Sequence, residues 1–267
     1  MTRTTALDPL FTVVNTAVLT DRHLANLAAG TLAAVRVPGF LDAQTCRTAL
    51  RVLDRLPTGE YDPDRVATPI VRFGPALNDY RDDAGALDAQ RYWHDAEAAR
   101  ALWHRAGVRP DPIAISLARL GEVWGAAVSP AAIGGRAVFG GTVREINTGA
   151  LIHYDDLNRE FPTGLFDQEI VAQLAFNAWV AVPEEGGATT VWRHRWEPAD
   201  EEHRDAYGYG PETVAHCQRV SLRPEIGDGL LFNPAHFHAV EPNAGGRRVA
   251  FAFFLGLTTT GQLIAWS

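Results

Sequence analysis

The sequence contains no lysine: all 24 basic residues among its 267 residues are arginine. Without a lysine ammonium group, the chain cannot be a Schiff-base enzyme, a pyridoxal-phosphate enzyme or a P-loop nucleotide hydrolase. It also lacks any cluster of basic residues, and its formal net charge is -8. Nucleic-acid binding depends on clustered Lys and Arg that neutralise phosphates, so no nucleic-acid partner is expected.

Cysteine is also scarce, because Cys46 and Cys217 are the only two and they form no Cys-x-x-Cys motif. This argues against a disulfide scaffold and a zinc ribbon, and it favours a reducing compartment. No apolar run approaches the length of a membrane span, and residues 1–10 lack the basic and apolar segments of a signal peptide. We therefore expect a cytoplasmic protein with no membrane partner, while the sequence sets no oligomeric state.

Apolar residues at helical spacing occur in the first half of the chain. They predict helices over about 42–56 and 87–106, and Asp111-Pro112 starts a third that runs to about Trp124. After Pro130 the pattern changes to short β-rich runs separated by glycine. These runs are Ala137–Phe139, Thr142–Ile146, Leu151–Tyr154, Val171–Val182, Thr189–Trp192, Val214–Leu222, Gly229–Phe232, Phe237–Val240 and Val249–Leu257.

The order of these elements predicts an α+β fold in a single domain over residues 1–267. Residues 1–130 would form a mainly helical support, and residues 131–260 a jelly-roll core. In this arrangement, a cupin-like double-stranded β-helix carries the N-terminal helices on one of its sheets.

The triplet His153-Tyr154-Asp155 is the first candidate for a metal site. Residues two apart on a strand project to the same face, so His153 and Asp155 can both point into a barrel mouth while Tyr154 points away. Together with His238, they offer two imidazoles and a carboxylate, a donor set that holds divalent iron on one face. A His-x-Asp triplet is common by chance, so the surrounding sequence has to support this interpretation.

That support comes from the region around His238. The run Gly227-Asp228-Gly229-Leu230-Leu231-Phe232 leads to His238-Ala239-Val240-Glu241-Pro242, and Arg248 follows ten residues after His238. This pattern resembles the distal-histidine region of iron(II)- and 2-oxoglutarate-dependent oxygenases. The resemblance covers residues 142–257, including the tight turn at 184–187. It is nearest to the small carrier-independent hydroxylases and halogenases that act on free amino acids or alkaloids.

The resemblance implies iron(II) held by His153, Asp155 and His238, with 2-oxoglutarate and O2 as co-substrates. Arg248 would bind the far carboxylate of 2-oxoglutarate through two parallel hydrogen bonds. The reaction implied is hydroxylation of a C–H bond in a small molecule, such as a free amino acid or a specialised metabolite, with release of succinate and CO2. The halogenases have glycine where this chain has Asp155, which leaves room for chloride, so Asp155 favours hydroxylation.

Several alternatives remain open at the site. His236 lies two residues before His238 and is the alternative ligand. Arg247 competes with Arg248 for the 2-oxoglutarate carboxylate, because neighbouring strand residues face opposite sides. Asn177, in the long run from 171 to 182, is expected to hydrogen-bond 2-oxoglutarate or to be an ordinary polar strand position.

The candidates for substrate binding are Asp156, Trp192 and Arg193, with Trp196 nearby. Asp156 could pair with a substrate ammonium group or cap a helix, and the tryptophans could border the cavity mouth or pack in the core. The same site could also perform desaturation or cyclisation. A non-catalytic cupin-like protein that binds a metal or metabolite is a different class. A zinc hydrolase could use the same two histidines and one carboxylate, but it would not explain an arginine ten residues after the last ligand.

Overall fold

The computed structural model describes residues 11–64, 66, 68–82 and 85–267 of the chain. Its α-helices are α1 Asp21–Ala28, α2 Ala43–Leu53, α3 Ala89–Ala106, α4 Pro112–Trp124 and α5 Leu157–Glu160. Three of these helices were predicted from the sequence, and aspartate caps them as expected. For example, Asp42 accepts a hydrogen bond from the Thr45 backbone N–H at 2.8 Å. Within the described residues, no helix has the length and apolar character that crossing a membrane requires.

β-strands occur along the whole described chain and are most frequent in its second half. In chain order they are β1 Val13–Asn15, β2 Ala34–Val37, β3 Gly59–Glu60, β4 Val71–Phe73, β5 Ser129–Pro130, β6 Ala132–Ile133, β7 Arg136–Ala137, β8 Thr142–Glu145, β9 Ala150–His153, β10 Ile170–Ala181, β11 Glu185–Gly186, β12 Thr189–Arg195, β13 Arg204–Asp205, β14 Gly208–Tyr209, β15 Arg219–Leu222, β16 Gly229–Phe232, β17 His236–Val240, β18 Asn243–Ala244, β19 Val249–Thr258 and β20 Leu263–Trp266. Short 3₁₀ turns occur at Leu77–Tyr80, Pro198–His203 and Pro211–Val214.

The strands form two main sheets. The major sheet has ten strands, with the order β1-β2-β16-β10-β19-β8-β4-β3 and with β20 and β5 attached beyond β19. The minor sheet has six strands in the order β13-β14-β9-β17-β12-β15. Two small antiparallel pairs, β11 with β18 and β6 with β7, complete the β-structure of the described residues. The protein is therefore a mixed fold of helices and two large sheets.

The strand predictions hold for the long runs and fail for some short ones. The run Val214–Leu222 was predicted as one strand, but it begins in a 3₁₀ turn and only Arg219–Leu222 is extended. Strand Leu263–Trp266 was not predicted. The N-terminal half, expected to be mainly helical, also contributes β1, β2, β3 and β4 to the major sheet. Strands of two to four residues are too short to show a period in the sequence.

The core lies on the helix side of the major sheet. Strand β10 pairs with both β16 and β19, so it is central, and helices α1 and α2 contact it. Phe176 on β10 is fully buried between Phe40 and Phe253, with ring centroids 5.0 and 4.8 Å away. Helices α1 and α2 thus contact the major sheet at its central strand. The opposite face of the same sheet forms a wall of the functional site.

Candidate active site

The three predicted metal ligands lie together. His153 ends β9 and His238 lies on β17, and the two residues are direct partners across this antiparallel pair. Side chains at directly opposite positions project to the same face, which brings the two imidazole rings to a centroid distance of 4.2 Å. Asp155 lies just beyond β9, where its backbone N–H donates to Pro234 O at 2.9 Å. One donor atom from each of the three residues lies within 4.8 Å of the others.

Backbone carbonyls orient both imidazoles. His153 Nδ1 lies 2.7 Å from Leu151 O, and His238 Nδ1 lies 3.0 Å from His236 O. Since a carbonyl only accepts, each Nδ1 carries the proton and each Nε2 lone pair is free to bind an ion. The Nε2 atoms of His153 and His238 lie 4.0 and 3.4 Å from Asp155 Oδ2. This is a facial donor set of two nitrogens and one oxygen that suits divalent iron.

The charges at the triad favour the forms that bind a metal. Burial lowers the pKa of His153 to about 4, and the neighbouring charges of His238 and Arg144 act in the same direction. Burial alone would raise the pKa of Asp155, but its contacts with the imidazoles of His238 and His153 lower it to about 2. A neutral imidazole and an ionised carboxylate are the states that coordinate a cation.

The two adjacent arginines face different surroundings. Arg247 is partly exposed and forms ion pairs of 2.6 Å with Asp54 and with Glu145. Arg248 is only 3 % exposed and lines the same cavity as the triad. Its guanidinium donates to Gly187 O and to Thr189 Oγ1, both at 2.9 Å. Burial lowers the pKa of Arg248 to about 10, so the group remains charged near neutral pH.

The turn predicted at residues 184–187 supports Arg248 directly. Gly187 has φ +70°, a conformation that side chains other than glycine rarely adopt. A Cβ atom there would also lie 3.2 Å from Arg248 Cδ and 2.9 Å from Pro183 Cγ. Glycine at this position lets the backbone carbonyl approach the guanidinium and accept its hydrogen bond.

The triad and Arg248 line one cavity of about 670 Å³ between the two sheets. This volume is in the range of small-molecule sites in enzymes. Asn177 on β10 also lines the cavity, as expected, and it lies opposite Ala252 of β19 on the inner face. Among the residues with described positions, the Asn177 amide has no protein hydrogen-bond partner.

His236, the alternative ligand, is not part of the metal group. Its ring packs edge-on against Phe11 at a centroid distance of 5.3 Å, and its Nε2 lies next to Gly30. Burial and the nearby charge of Arg195 lower the pKa of His236 to about 4. The structure thus places His236 among packed groups outside the cavity lining.

The structure places the predicted substrate-binding residues elsewhere. Asp156 caps α5 by accepting from the Asn158 backbone N–H at 3.1 Å, and it does not line the cavity. Trp192 is buried in an aromatic cluster with Phe237 and Tyr209 on the outer face of the minor sheet. Arg193 is exposed, and its backbone N–H donates to Gln218 O.

Trp196 is also outside the cavity lining. Its indole Nε1–H donates to Glu201 at 2.6 Å, and the Arg159 guanidinium stacks on its ring at 3.3 Å from the centroid. Neither Trp192 nor Trp196 lines the cavity, although Trp196 contacts Arg159 and Glu201, which do. Tyr154, which was expected to point away from the cavity, is one of its lining residues, although its ring packs on Phe237 with centroids 5.5 Å apart.

Arg144, Glu160 and Tyr207 are among the cavity residues that were not predicted from the sequence. The Tyr207 hydroxyl accepts from the Leu151 backbone N–H at 2.8 Å, and its ring lies 5.7 Å from that of His153. Burial raises the pKa of Glu160 to about 8, and the negative charge of Asp155 adds to this shift. Only the strand register and loop packing bring these residues to the site, so no motif marks them.

Known proteins share this sequence pattern and this fold. The family model described as carrier-protein-independent halogenase WelO5 matches residues 113–267. The chain is 54 % identical over 268 aligned residues to an L-gamma-glutamyl-L-propargylglycine hydroxylase of Streptantibioticus cattleyicolor, with 100 % of both chains covered. It is 33 % identical over 130 residues to the leucinostatins biosynthesis cluster protein S of Purpureocillium lilacinum, covering 46 % of this chain and 53 % of that protein.

A solved structure has the same fold at low sequence identity. It is an N-substituted L-amino acid dioxygenase from Burkholderia ambifaria AMMD in complex with 2-oxoglutarate, with a TM-score of 0.62 and 16 % identity. The alignment covers 92 % of this chain and 90 % of that one. The sequence match over more than half of the chain, the full-length relative and the His-Asp-His site agree. The chain therefore belongs to the family of the carrier-protein-independent halogenase WelO5, and it is a 2-oxoglutarate-dependent non-haem iron oxygenase.

Proposed function

We propose that the chain hydroxylates a small amino-acid derivative at iron(II) held by His153, Asp155 and His238. The observation that carries this proposal is the presence of these three donors and of the buried Arg248 in a single cavity. A carboxylate at position 155 occupies the coordination position that a halide would need. This favours transfer of oxygen over transfer of a halide.

Arg248 is the proposed anchor for the C5 carboxylate of 2-oxoglutarate. Its partners among the described residues, Gly187 O and Thr189 Oγ1, are neutral, so its charge is uncompensated inside the protein. A buried guanidinium pairs strongly with a carboxylate through charge-assisted hydrogen bonds. Arg247 is satisfied by two carboxylates at the surface, which makes it the weaker candidate. Asn177, on the same sheet face, is the proposed second polar contact for the co-substrate.

When bound, iron(II) and 2-oxoglutarate supply an oxidant from O2 and release succinate and CO2. The protein's own residues position the reactants and keep water away from them. The backbone bonds of His153 and His238 fix the ligand geometry, while Arg248 sets the orientation of the co-substrate. Phe232 and Val240 are among the apolar residues that line the cavity around this centre.

For the substrate, the proposal follows the full-length relative. That enzyme is named for L-gamma-glutamyl-L-propargylglycine, and the identity of 54 % extends over the entire chain. We infer that this chain also acts on a γ-glutamyl-linked amino acid or a closely related derivative. A cavity of about 670 Å³ is large enough for such a molecule beside 2-oxoglutarate.

The two sheets are proposed to face each other as a double-stranded β-helix within a single domain. In support, the minor sheet places His153 and His238 on the cavity, and the major sheet places Asn177 there. The fold likeness to a solved 2-oxoglutarate dioxygenase agrees with this arrangement.

The test is anaerobic loading with iron(II), 2-oxoglutarate and L-γ-glutamyl-L-propargylglycine, followed by admission of O2. Succinate should form together with a product one oxygen atom heavier than the substrate. A product two hydrogen atoms lighter would indicate desaturation instead. His153→Ala and His238→Ala should lower succinate formation by more than roughly 100-fold, since changes to mere supporting residues already cost 10- to 100-fold.

His94→Ala is the matched control, because His94 is exposed on α3. Undiminished turnover in the His153 and His238 variants would contradict the ligand assignment. Metal binding without any release of succinate would instead favour a non-catalytic binding protein.

A further inference from the structure

Arg144 is a charged group of the cavity wall that has no part in the iron or 2-oxoglutarate sites proposed above. It lies on β8 directly opposite Ala250 of β19, so the two side chains share one face of the major sheet. Its Nε donates to the Tyr61 hydroxyl at 2.9 Å. Among residues 11–64, 66, 68–82 and 85–267, no carboxylate forms an ion pair with it. The outer nitrogens of this guanidinium therefore remain available to a ligand.

Glu160 and Arg81 form a second group of charges on the cavity wall. Glu160 is the last residue of α5, and its carboxylate has no hydrogen-bond partner within the described part of the chain. Arg81 donates to the backbone oxygen of Glu160 at 3.3 Å, and the charge of Arg81 acts on the Glu160 carboxyl group. The wall thus offers a guanidinium group near a carboxyl group that an ammonium ligand would ionise.

Of the other charged side chains of the wall, Asp64 and Arg159 are exposed to solvent, and two pairs neutralise each other. Asp79 lies 2.6 Å from Arg72, and Arg204 lies 3.3 Å from Glu201. A recessed charge without a counter-charge is unfavourable, so unpaired groups in a cavity indicate a ligand of complementary charge. Two guanidinium groups and one carboxylate match a ligand with two carboxylates and one ammonium group. A γ-glutamyl amino acid has this set of charges.

We infer that Arg144 binds the C-terminal carboxylate of a γ-glutamyl amino acid, and that Arg81 and Glu160 bind the α-carboxylate and α-ammonium groups of its glutamyl head. Adjacent opposite charges on the wall suit an amino-acid head group, which carries both charges on one carbon. Arg144 lies on the sheet face next to the proposed co-substrate site, so it holds the residue that reacts. The inference rests on the proposed function and specifies the substrate class of that site.

The test measures binding by calorimetry, with a redox-inert divalent ion in place of iron and 2-oxoglutarate present. The probes are L-γ-glutamyl-L-propargylglycine, its C-terminal amide, and glutaryl-L-propargylglycine, which lacks the ammonium group. For the unaltered protein, each change should raise Kd roughly 10- to 100-fold, the effect of losing a hydrogen bond to a charged group. These comparisons change the ligand only, so they are independent of protein folding.

The variants assign each ligand charge to its partner. Arg144→Gln should bind the acid and the amide with equal Kd and still discriminate against the glutaryl probe. Glu160→Gln should bind the dipeptide and the glutaryl probe with equal Kd and still prefer the acid to the amide. Arg144→Lys should recover part of the preference for the acid. Arg47→Gln and Glu122→Gln, at exposed helical positions, are the matched controls and should retain both preferences.

Retention of the acid preference by Arg144→Gln, or of the ammonium preference by Glu160→Gln, would overturn the inference. So would equal binding of all three probes to the unaltered protein. Metal-dependent binding of 2-oxoglutarate that Arg248→Gln weakens provides the separation from the proposed function. If that binding is present while the charge preferences are absent, only the substrate assignment fails; if that binding is absent, the proposed function fails.

Discussion

The two sheets that enclose the cavity are stabilised differently. On the major sheet, the strand with the sequence VAFAFFLGLT is almost entirely buried, and helices cover the face that points away from the cavity. On the minor sheet, the outer face packs on a small aromatic cluster around Phe237. The two sheets differ accordingly: the well-covered major sheet carries the buried Arg248 directly before β19, and the thinner minor sheet carries His153 and His238, whose rings are oriented by local hydrogen bonds.

Among the substitutions that test this difference, the loss of Trp192 should have the largest effect, because Trp192 is a main part of the small aromatic cluster. Trp192→Ala should lower the free energy of unfolding by about 3–5 kcal/mol, the usual cost of removing a buried aromatic side chain. Denaturant titration measures this loss. Trp192→Phe should retain most of the stability and leave the KM for substrate unchanged. A raised KM with normal stability in Trp192→Phe would mean that the indole contacts the substrate after all.

Substitutions of Arg248 and Arg247 test the assignment made for the major sheet, and their expected effects on binding and stability are smaller. Arg248→Gln should weaken binding of 2-oxoglutarate by about 2–5 kcal/mol, because it removes the charge opposite a desolvated carboxylate. Arg247→Gln should leave this affinity unchanged and lower stability by at most about 1 kcal/mol, as is usual for surface ion pairs. Calorimetric titration of both variants with 2-oxoglutarate decides between them. Equal effects of the two changes would contradict the assignment of the inner arginine.

Asp156 gives the smallest expected effect and lies at the junction of the triad with α5. Asp156→Ala should reduce stability by about 1 kcal/mol because the N-cap is lost, whereas Asp156→Asn can still accept the capping bond. Both changes should leave the KM for substrate unaltered. Thermal unfolding and steady-state kinetics check this expectation. If Asp156→Asn raised KM while stability was normal, the carboxylate would be a substrate contact and the cap would be secondary.

The sequence was sufficient for the parts of the site that depend on short motifs. His153 with Asp155 and His238 with Arg248 have spacings that point to the triad and its neighbouring arginine. The long strands were also predictable, because β10 and β19 are continuous apolar runs bounded by turns. These features reflect local rules of strand alternation and turn chemistry.

The parts that were not predictable depend on register and on packing between distant segments. Val191 pairs with His238, so Trp192 must face the opposite side of the sheet. The sequence does not reveal that pairing, so from the sequence alone Trp192 is a candidate for the cavity mouth. Arg144 is at the site because β8 pairs with β19, more than 100 residues later in the chain. No local pattern contains such information.

The buried guanidinium at residue 248 has a consequence for how far this protein can be stabilised. Among the described residues its hydrogen-bond partners are neutral, so an apolar side chain of similar volume, as in Arg248→Met, would make the free protein more stable. The same change would abolish the attraction for a dianionic co-substrate. Resistance to denaturation and the proposed co-substrate affinity thus oppose each other at one position, and selection for heat tolerance alone would remove the arginine that we propose to bind 2-oxoglutarate.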